Sequence, residues 1–182
     1  MCAGVSYVSH RHVSGWVIMN ALIVFLAQYL LYFILAAAAV IWLFVPRQDK
    51  VDLAAQVIVS LVIVFVLIKL AGAIHTDPRP FVADPLIKPL FVHGADNGFP
   101  SDHTAVAATV ALLVMMYSRW VGVALLVASL VLGASRMAAH VHHGQDIVAA
   151  LLIAVLAVGI ASVTWRRVRP RLPRRLTGQA SI

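Results

Sequence analysis

The chain has 182 residues, of which 62% are hydrophobic, and its mean hydropathy is +0.95. Soluble domains are about 45–50% apolar, so this composition excludes an ordinary soluble domain and indicates one integral membrane domain. The net charge is +7, and all seven acidic residues are aspartates. The single cysteine, Cys2, excludes an intramolecular disulfide and a cysteine-cluster metal site.

Five apolar runs divide the chain and predict five transmembrane helices. A membrane span needs about 20 apolar residues, and the first run is longer than that because residues 13–46 carry no formal charge. Its early part predicts an interfacial segment within residues 1–20, retained rather than cleaved as a signal peptide. The predicted membrane helices cover residues 21–44, 53–73, 104–117, 120–134 and 147–165. The third and fourth runs are short unless their polar neighbours also lie at membrane depth and face the bundle interior.

The predicted fold is therefore an all-α integral membrane bundle of five helices, with an interfacial segment at its N-terminus, in one domain over residues 1–182. Its parts are the interfacial segment at 1–20, the helical core at 21–165 and a basic tail at 166–182. The tail sequence RRVRPRLPRR contains six arginines. Such a cluster can bind nucleic acid, but beside an apolar span it is typical of a cytoplasmic flank, so we expect no nucleic-acid partner.

Basic residues also predict the orientation of the chain in its membrane. Arg47 and Lys50 follow the first run, Arg119 follows the third, and the arginine tail follows the fifth. With five spans all of them fall on one side, which the positive-inside rule makes cytoplasmic. The 74–103 loop and the 135–146 connection then face the periplasm or the cell exterior. These two segments hold six of the eight histidines and five of the seven aspartates.

Three polar clusters within those segments predict phosphate chemistry. They are HTDPRPF (75–81), FPSDHT (99–104) and SRMAAHVHHGQD (135–146). The planar guanidinium groups of Arg79 and Arg136 can each bind two phosphate oxygens at once. Ser101 and His103 open the third run, where the free N–H groups of a helix start would face an anion.

The third cluster also predicts a nucleophile. His142 and Asp146 are four residues apart, so on a helix they share a face. A carboxylate bonded to one imidazole nitrogen fixes the tautomer and leaves the other nitrogen free to attack phosphorus. His103 is then available to protonate the leaving oxygen. Such a reaction passes through a phosphohistidine, and we expect it to need no metal and no cofactor.

The three clusters resemble the signature motifs of the type 2 phosphatidic acid phosphatase superfamily. That pattern is lysine, six residues and Arg-Pro, then Pro-Ser-Gly-His, then Ser-Arg, five residues, His, three residues and Asp. The matching residues here are Arg79-Pro80, Pro100-Ser101-Asp102-His103, Ser135-Arg136, His142 and Asp146. The third motif matches at every defined position. Aspartate replaces the usual glycine in the second, which is similar to the bacitracin-resistance branch of membrane undecaprenyl-diphosphate phosphatases.

This resemblance implies a role for each site residue. His142 would be the nucleophile, Asp146 its partner and His103 the general acid. The phosphate-binding residues would be Arg79, Ser101, Arg136 and Lys69. The first motif departs from the pattern, because its lysine would stand at Gly72; Lys69 lies about one helical turn earlier.

The implied function is hydrolysis of undecaprenyl diphosphate to undecaprenyl phosphate and inorganic phosphate, for recycling of the carrier lipid in cell-wall synthesis. The expected partners are that polyprenyl-diphosphate substrate and membrane lipids; no oligomeric state is predicted. One alternative is the same chemistry on phosphatidylglycerol phosphate, phosphatidate or a decaprenyl-phosphoryl sugar, and another is phosphoryl transfer to a second acceptor. From another class, a histidine-based metal-binding or transport protein is disfavoured, because paired arginines repel cations and transport sites are expected near mid-membrane.

Overall fold

The computed structural model describes residues 6–171, without the side chains of residues 6–14 and of Gln48. The chain forms α1 (Ser6–Phe44), α2 (Arg47–Ile74), α3 (Pro80–Ala83), α4 (Asp102–Tyr117), α5 (Arg119–Ala138) and α6 (Gly144–Val168), followed by a 3₁₀ turn at Arg169–Arg171. Within residues 6–171 the only β pairing is an isolated bridge between Pro78 and Asn97. The predicted all-α fold is therefore confirmed.

Four helices of the described chain are long and apolar enough to cross a membrane, and α4 is a shorter fifth. The four segments are Gly15–Phe44, Asp49–Ile74, Arg119–Ala138 and Gly144–Arg171. At 16 residues, α4 is about 24 Å long, against a hydrocarbon thickness of about 30 Å. It packs against α1, α2, α5 and α6, and most of its side chains are buried. Because neighbouring helices surround α4, it need not match the bilayer thickness by itself.

The N-terminal segment continues the first membrane helix. Residues 6–20, for which the sequence predicted a separate interfacial segment, belong to α1 without a break. No proline interrupts this stretch, and the one glycine in it, Gly15, does not end the helix. A helix of 39 residues is about 58 Å long, so α1 exceeds the hydrocarbon thickness.

Both ends of α6 extend beyond the predicted run. The first three residues of the predicted basic tail, 166–168, continue α6, and Arg169–Arg171 form the 3₁₀ turn. Residues 172–182 of that tail lie outside the described residues. Near this end Arg169 Nη2 lies 2.7 Å from Asp52 Oδ2, which ties the end of α6 to the start of α2.

Short turns and long connections lie at opposite ends of the bundle. Two residues separate α1 from α2, and Ser118 alone separates α4 from α5. The long connection from 75 to 101 and the turn from 139 to 143 lie at the other end. Each of the three polar clusters therefore lies at this second end, as predicted from the apolar runs.

Close helix packing at glycines brings the elements of that end together. A Cβ atom at Gly122 would lie 2.2 Å from the Met115 Cα, so α4 and α5 approach closely there. A Cβ atom at Gly133 would lie 2.7 Å from Ile147 Cγ2, so α5 and α6 also approach closely there. Beneath the long connection, Ala27, Ala139 and Val141 form a buried cluster. Phe81, Leu90 and Phe91 of the connection pack on that cluster.

Candidate active site

The imidazole of His142 is buried, with two acceptors at Nδ1 and a longer contact with Arg79 at Nε2. His142 Nδ1 lies 2.9 Å from the Gly98 carbonyl oxygen and 3.2 Å from Asp146 Oδ2. Both partners are acceptors, so the Nδ1 atom carries the proton. Nε2 lies 3.4 Å from Arg79 Nη1, which can only donate, so Nε2 presents its lone pair. This is the tautomer that a nucleophilic histidine requires.

The pKa of His142 lies below its ordinary value of 6.5. Burial is the largest cause, the hydrogen bond with Asp146 opposes it, and the nearby guanidinium groups of Arg136 and Arg79 add to the lowering. The imidazole is therefore neutral at pH 7, and its Nε2 lone pair is available.

The backbone brings Asp146 into contact with His142 in a different way from the one predicted. The sequence predicted that both residues share a helical face, but α6 begins only at Gly144 and His142 precedes it. Asp146 lies in the first turn, where its Oδ2 accepts the backbone N–H of His143 at 2.7 Å. The turn before α6, rather than helical spacing, brings the two side chains together. The Asp146 side chain is fully buried.

Arg79 is fixed in the loop between α2 and α4. It is buried, and its Nε donates to Asp96 Oδ1 at 3.0 Å. Its Nη1 donates to the Val141 carbonyl oxygen at 2.7 Å and lies beside His142. These contacts hold the guanidinium next to the proposed nucleophile, where the terminal phosphoryl group of a substrate would be attacked.

A second arginine lines a cavity beside the first. Arg136 Nη1 donates to the Ala27 carbonyl oxygen at 3.1 Å, and Nη2 lies 3.1 Å from His93 Nε2. Arg136, His93 and His103 line a cavity of about 340 Å³. The ring of His93 also lies edge-on to that of His142, with centroids 6.5 Å apart. His103 therefore shares the site with Arg136, as predicted.

Ser101 joins the start of α4 to the start of α6. Its side chain is buried, and its Oγ lies 3.1 Å from Thr104 Oγ1. Its backbone N–H donates to the Asp146 carbonyl oxygen at 3.2 Å. No side chain caps the first turn of α4, so the N–H groups of that turn are suited to bind an anion. Six predicted site residues thus converge at one end of the bundle: Arg79, Ser101, His103, Arg136, His142 and Asp146.

The structure does not bring Lys69 into this group. Lys69 is exposed on α2, and its Nζ lies over the Phe65 ring, 5.4 Å from the centroid. The site-facing position of α2 is Gly72, where a Cβ atom would lie 3.1 Å from the Phe99 carbonyl oxygen. Asn97 Nδ2 donates to the Gly72 carbonyl oxygen at 3.1 Å. The structure therefore corrects the prediction of Lys69 as a phosphate ligand, because its ammonium group lies over Phe65, one helical turn farther from the loop.

Three residues that the sequence did not single out as site residues support the nucleophile and Arg79. Gly98 accepts the His142 Nδ1–H, and a Cβ atom on it would lie 3.4 Å from Asp146 Oδ2. Asp96 pairs with Arg79. Asp77 Oδ2 accepts hydrogen bonds from Gln145 Nε2 at 2.6 Å and from His143 Nδ1 at 2.9 Å. The available signal was the position of Asp96 and Gly98 just before Pro-Ser-Asp-His, and of Asp77 two residues before Arg79.

One group of ligand atoms could hold a metal ion. Ligand atoms of Asp77, His143 and Asp146 lie within 4.8 Å of one another. The Asp77–His143 hydrogen bond and the bond from the His143 backbone to Asp146 already pair these groups. Asp146 Oδ1, however, is buried without a hydrogen-bond partner among residues 6–171, so these bonds do not satisfy the whole cluster.

Comparison with known proteins assigns the family. The model of the PAP2 superfamily matches residues 25–171. The chain belongs to the PAP2 superfamily. The match covers all six converging residues, so the predicted membership is confirmed. This PAP2 chain keeps the superfamily's third motif in full and replaces the lysine of the first motif by Gly72.

Curated relatives support the predicted branch. The chain is 30% identical over 139 residues to the bacitracin transport permease protein BcrC of Bacillus licheniformis, covering 76% of this chain and 68% of the relative. It is 28% identical to the undecaprenyl-diphosphatase BcrC of Bacillus subtilis, covering 76% and 71%. It is 32% identical to the putative undecaprenyl-diphosphatase YbjG of Escherichia coli, covering 87% and 79%.

A solved structure has the same fold. The crystal structure of Aquifex aeolicus LpxE aligns with a TM-score of 0.67 over 80% of this chain and 86% of that one. The sequence identity is 19%, so this likeness concerns the fold. The PAP2 chain is accordingly a multi-pass membrane protein with a PAP2-like helical core.

Proposed function

We propose that this protein is a membrane phosphatase that hydrolyses undecaprenyl diphosphate to undecaprenyl phosphate and inorganic phosphate without a metal ion. The observation that carries the proposal is the His142 imidazole, held at Nδ1 and directed through Nε2 at Arg79. A buried arginine beside a neutral imidazole suits an anionic phosphoryl group. The names of the BcrC and YbjG relatives support the prenyl diphosphate as substrate and a part in bacitracin resistance.

The reaction has two steps at phosphorus. In the first, His142 Nε2 attacks the terminal phosphorus, the bond to the bridging oxygen breaks, and its electron pair stays on that oxygen. His103 donates a proton to the oxygen, and undecaprenyl phosphate leaves. In the second, water attacks the phosphohistidine, His103 takes a proton from the water, and inorganic phosphate leaves His142 with its lone pair restored.

The charges of the site suit this sequence of steps. A diphosphate in the cavity favours the protonated, cationic form of His103, since an opposite charge nearby stabilises the charged form. Arg79 and Arg136 together balance the negative charge of the transferred phosphoryl group and of the leaving phosphate. The prenyl chain would remain in the bilayer, with the active site facing the periplasm or the cell exterior, because the basic residues of the other end favour the cytoplasm.

The test is phosphate release by the purified protein in detergent with EDTA present. Undecaprenyl diphosphate, phosphatidylglycerol phosphate and phosphatidate would be compared, with His142→Ala beside the unchanged protein. We expect rapid release from the prenyl diphosphate that EDTA does not reduce and that His142→Ala abolishes. A labelled phosphoenzyme, stable to base and labile to acid, should form only when His142 is present.

Other outcomes would change the assignment in defined ways. Preference for a glycerolipid would keep the chemistry and replace the substrate. Release that requires added Zn²⁺ or Mg²⁺ would overturn the metal-independent reaction and direct attention to Asp77, His143 and Asp146. Phosphate release that survives His142→Ala would remove the proposed nucleophile.

A further inference from the structure

Arg136 is a buried cation that forms no ion pair among the described residues. Only 3% of its surface is exposed, and it takes part in none of the ion pairs of residues 6–171. Its Nε is also buried without a hydrogen-bond partner there. Arg79 differs, because Asp96 pairs with it. A buried, unpaired charge is costly, so Arg136 has the stronger need for an anion from outside the protein.

His93 is bonded to Arg136 much as His142 is to Arg79. Arg136 can only donate, so His93 Nε2 is the acceptor and His93 Nδ1 carries the proton, 3.4 Å from the Gly94 carbonyl oxygen. Burial, and then the charge of Arg79, lower the pKa of His93 below its ordinary value. The neutral imidazole therefore suits this bond. An entering phosphate would favour a protonated His93, which then donates.

The cavity beside Arg136 lies on the leaving-group side of the reaction. His103, which would protonate the leaving oxygen, lines it together with Arg136 and His93, whereas His142 and Arg79 do not. An attacking nucleophile and a leaving oxygen lie on opposite sides of phosphorus. The part of the substrate that leaves therefore belongs in this cavity.

The other wall of the cavity connects it with the lipid-facing surface. Gln28, Tyr29 and Tyr32 of α1 form that wall, and both tyrosines are largely exposed. Tyr29 packs against Phe25, with ring centroids 5.5 Å apart. Tyrosine is favoured at membrane interfaces because its ring is apolar and its hydroxyl polar. A prenyl chain attached to a phosphate in the cavity can thus leave along this face of α1.

We propose that His93 and Arg136 form a second phosphate site, which binds the lipid-linked phosphate of a diphosphate substrate and so selects diphosphates over monophosphates. The inference rests on the proposed function, since it names the subsite for that reaction's leaving group. Arg79 and His142 receive the terminal phosphoryl group. His93 is a specificity residue that binds the departing phosphate, while His103 supplies its proton. The product, a lipid monophosphate, is held by the same two residues before release.

The test measures kcat/KM on undecaprenyl diphosphate and on phosphatidate for the unchanged protein, His93→Ala and His93→Gln. Loss of a hydrogen bond to a charged group typically costs about tenfold or more, so His93→Ala should lower kcat/KM on the diphosphate by that factor. Phosphatidate has no second phosphate, so its kcat/KM should stay within about twofold. Inhibition by undecaprenyl phosphate should weaken by about tenfold. His93→Gln, whose amide can bond Arg136, should recover part of both losses.

His140→Asn is the matched control. His140 lies in the turn after α5, its Nδ1 bonds the Lys88 carbonyl oxygen at 3.1 Å, and its φ of 61° favours asparagine. It should change neither substrate's kcat/KM.

Each remaining result has one meaning. Equal losses on both substrates in His93→Ala, or an unchanged preference for the diphosphate, would overturn the second site and leave the proposed function intact. If the unchanged protein does not prefer the diphosphate, the proposed function fails first and the second site fails with it.

Discussion

Two imidazole–carboxylate pairs lie side by side at the start of α6, and they differ in burial. In the inner pair, His142 and Asp146, the side chains are 3% and 0% exposed. In the outer pair, His143 and Asp77, they are 37% and 12% exposed. The inner imidazole also bonds Gly98 and contacts Arg79 through its other nitrogen, whereas the outer imidazole bonds only the carboxylate of a neighbouring loop.

From this difference we expect the inner pair to take part in the reaction and the outer pair to position the loops around it. The Asp77 backbone N–H bonds Asn97 Oδ1, its carbonyl accepts the Gly98 N–H, and its carboxylate accepts Gln145 and His143. Burial raises the pKa of the Asp77 carboxyl, but the hydrogen bond from Gln145 and the nearby His143 outweigh it and hold the pKa below its ordinary value. The outer pair thus joins three segments around the nucleophile without facing the arginines.

The largest expected difference in activity is between two single substitutions, one at His142 and one at His143. His142→Gln removes the proposed nucleophile and should lower kcat by at least about 10³-fold. His143→Gln keeps the backbone N–H that bonds Asp146, so it should lower kcat by less than about tenfold. Steady-state rates and trapping of the phosphoenzyme would measure both. Similar losses in the two variants would contradict the division between the pairs.

Substitution of the inner carboxylate should also lower activity more than substitution of the outer carboxylate, although by a smaller factor than for the histidines. Asp146→Asn weakens the anchor of the His142 ring and should cost about 10²-fold in kcat/KM, since Gly98 still holds Nδ1. Asp77→Asn removes the charge from the outer pair alone and should cost only a few-fold. Matched melting curves of both proteins would show whether either loss reflects unfolding.

The pH profile of the same variants sharpens this comparison. The active form of His142 is neutral, and its lowered pKa places the acid limb of kcat/KM below the ordinary histidine value of 6.5. Asp146 opposes the lowering by burial, so Asp146→Asn should move that limb to lower pH. Asp77→Asn should leave it where it is. An acid limb that moves to higher pH in Asp146→Asn would contradict the assignment to His142.

Gly98 offers a milder way to disturb the inner pair. A Cβ atom there would lie 3.1 Å from the Asp77 carbonyl oxygen and 3.3 Å from Arg79 Cγ, so its neighbours must shift by a few tenths of an ångström. A displacement of about 1 Å can cost about 10²-fold, so Gly98→Ala should cost about tenfold in kcat. Gly159→Ala is the control, because nothing lies within 4 Å of its Cβ position. Equal activities of the two variants would show that the close approach is unimportant.

Sequence reasoning found the inner pair but not the contacts that support it. Apolar runs predicted the helices, since burial in a bilayer requires long apolar segments, and motif spacing found the six converging residues. The roles of Asp77, Asp96 and Gly98 depend on how the 75–101 connection folds back over the site. Hydrogen bonds between distant loop residues leave no periodic signal in one sequence. The helical face predicted for His142 and Asp146 was wrong for a similar reason, because α6 begins between them.

Lys69 was predicted only because it lies one helical turn from the motif position, and its substitution carries the smallest expected effect. Its ammonium group lies over Phe65 on an exposed face of α2. Surface substitutions usually change a free energy by no more than about 0.5 kcal/mol, so Lys69→Ala should leave kcat/KM within about twofold of the unchanged protein. Arg79→Ala, tested beside it, should lose most activity, since Arg79 is buried against His142. A large loss in Lys69→Ala would mean that α2 turns this face toward the substrate during the reaction.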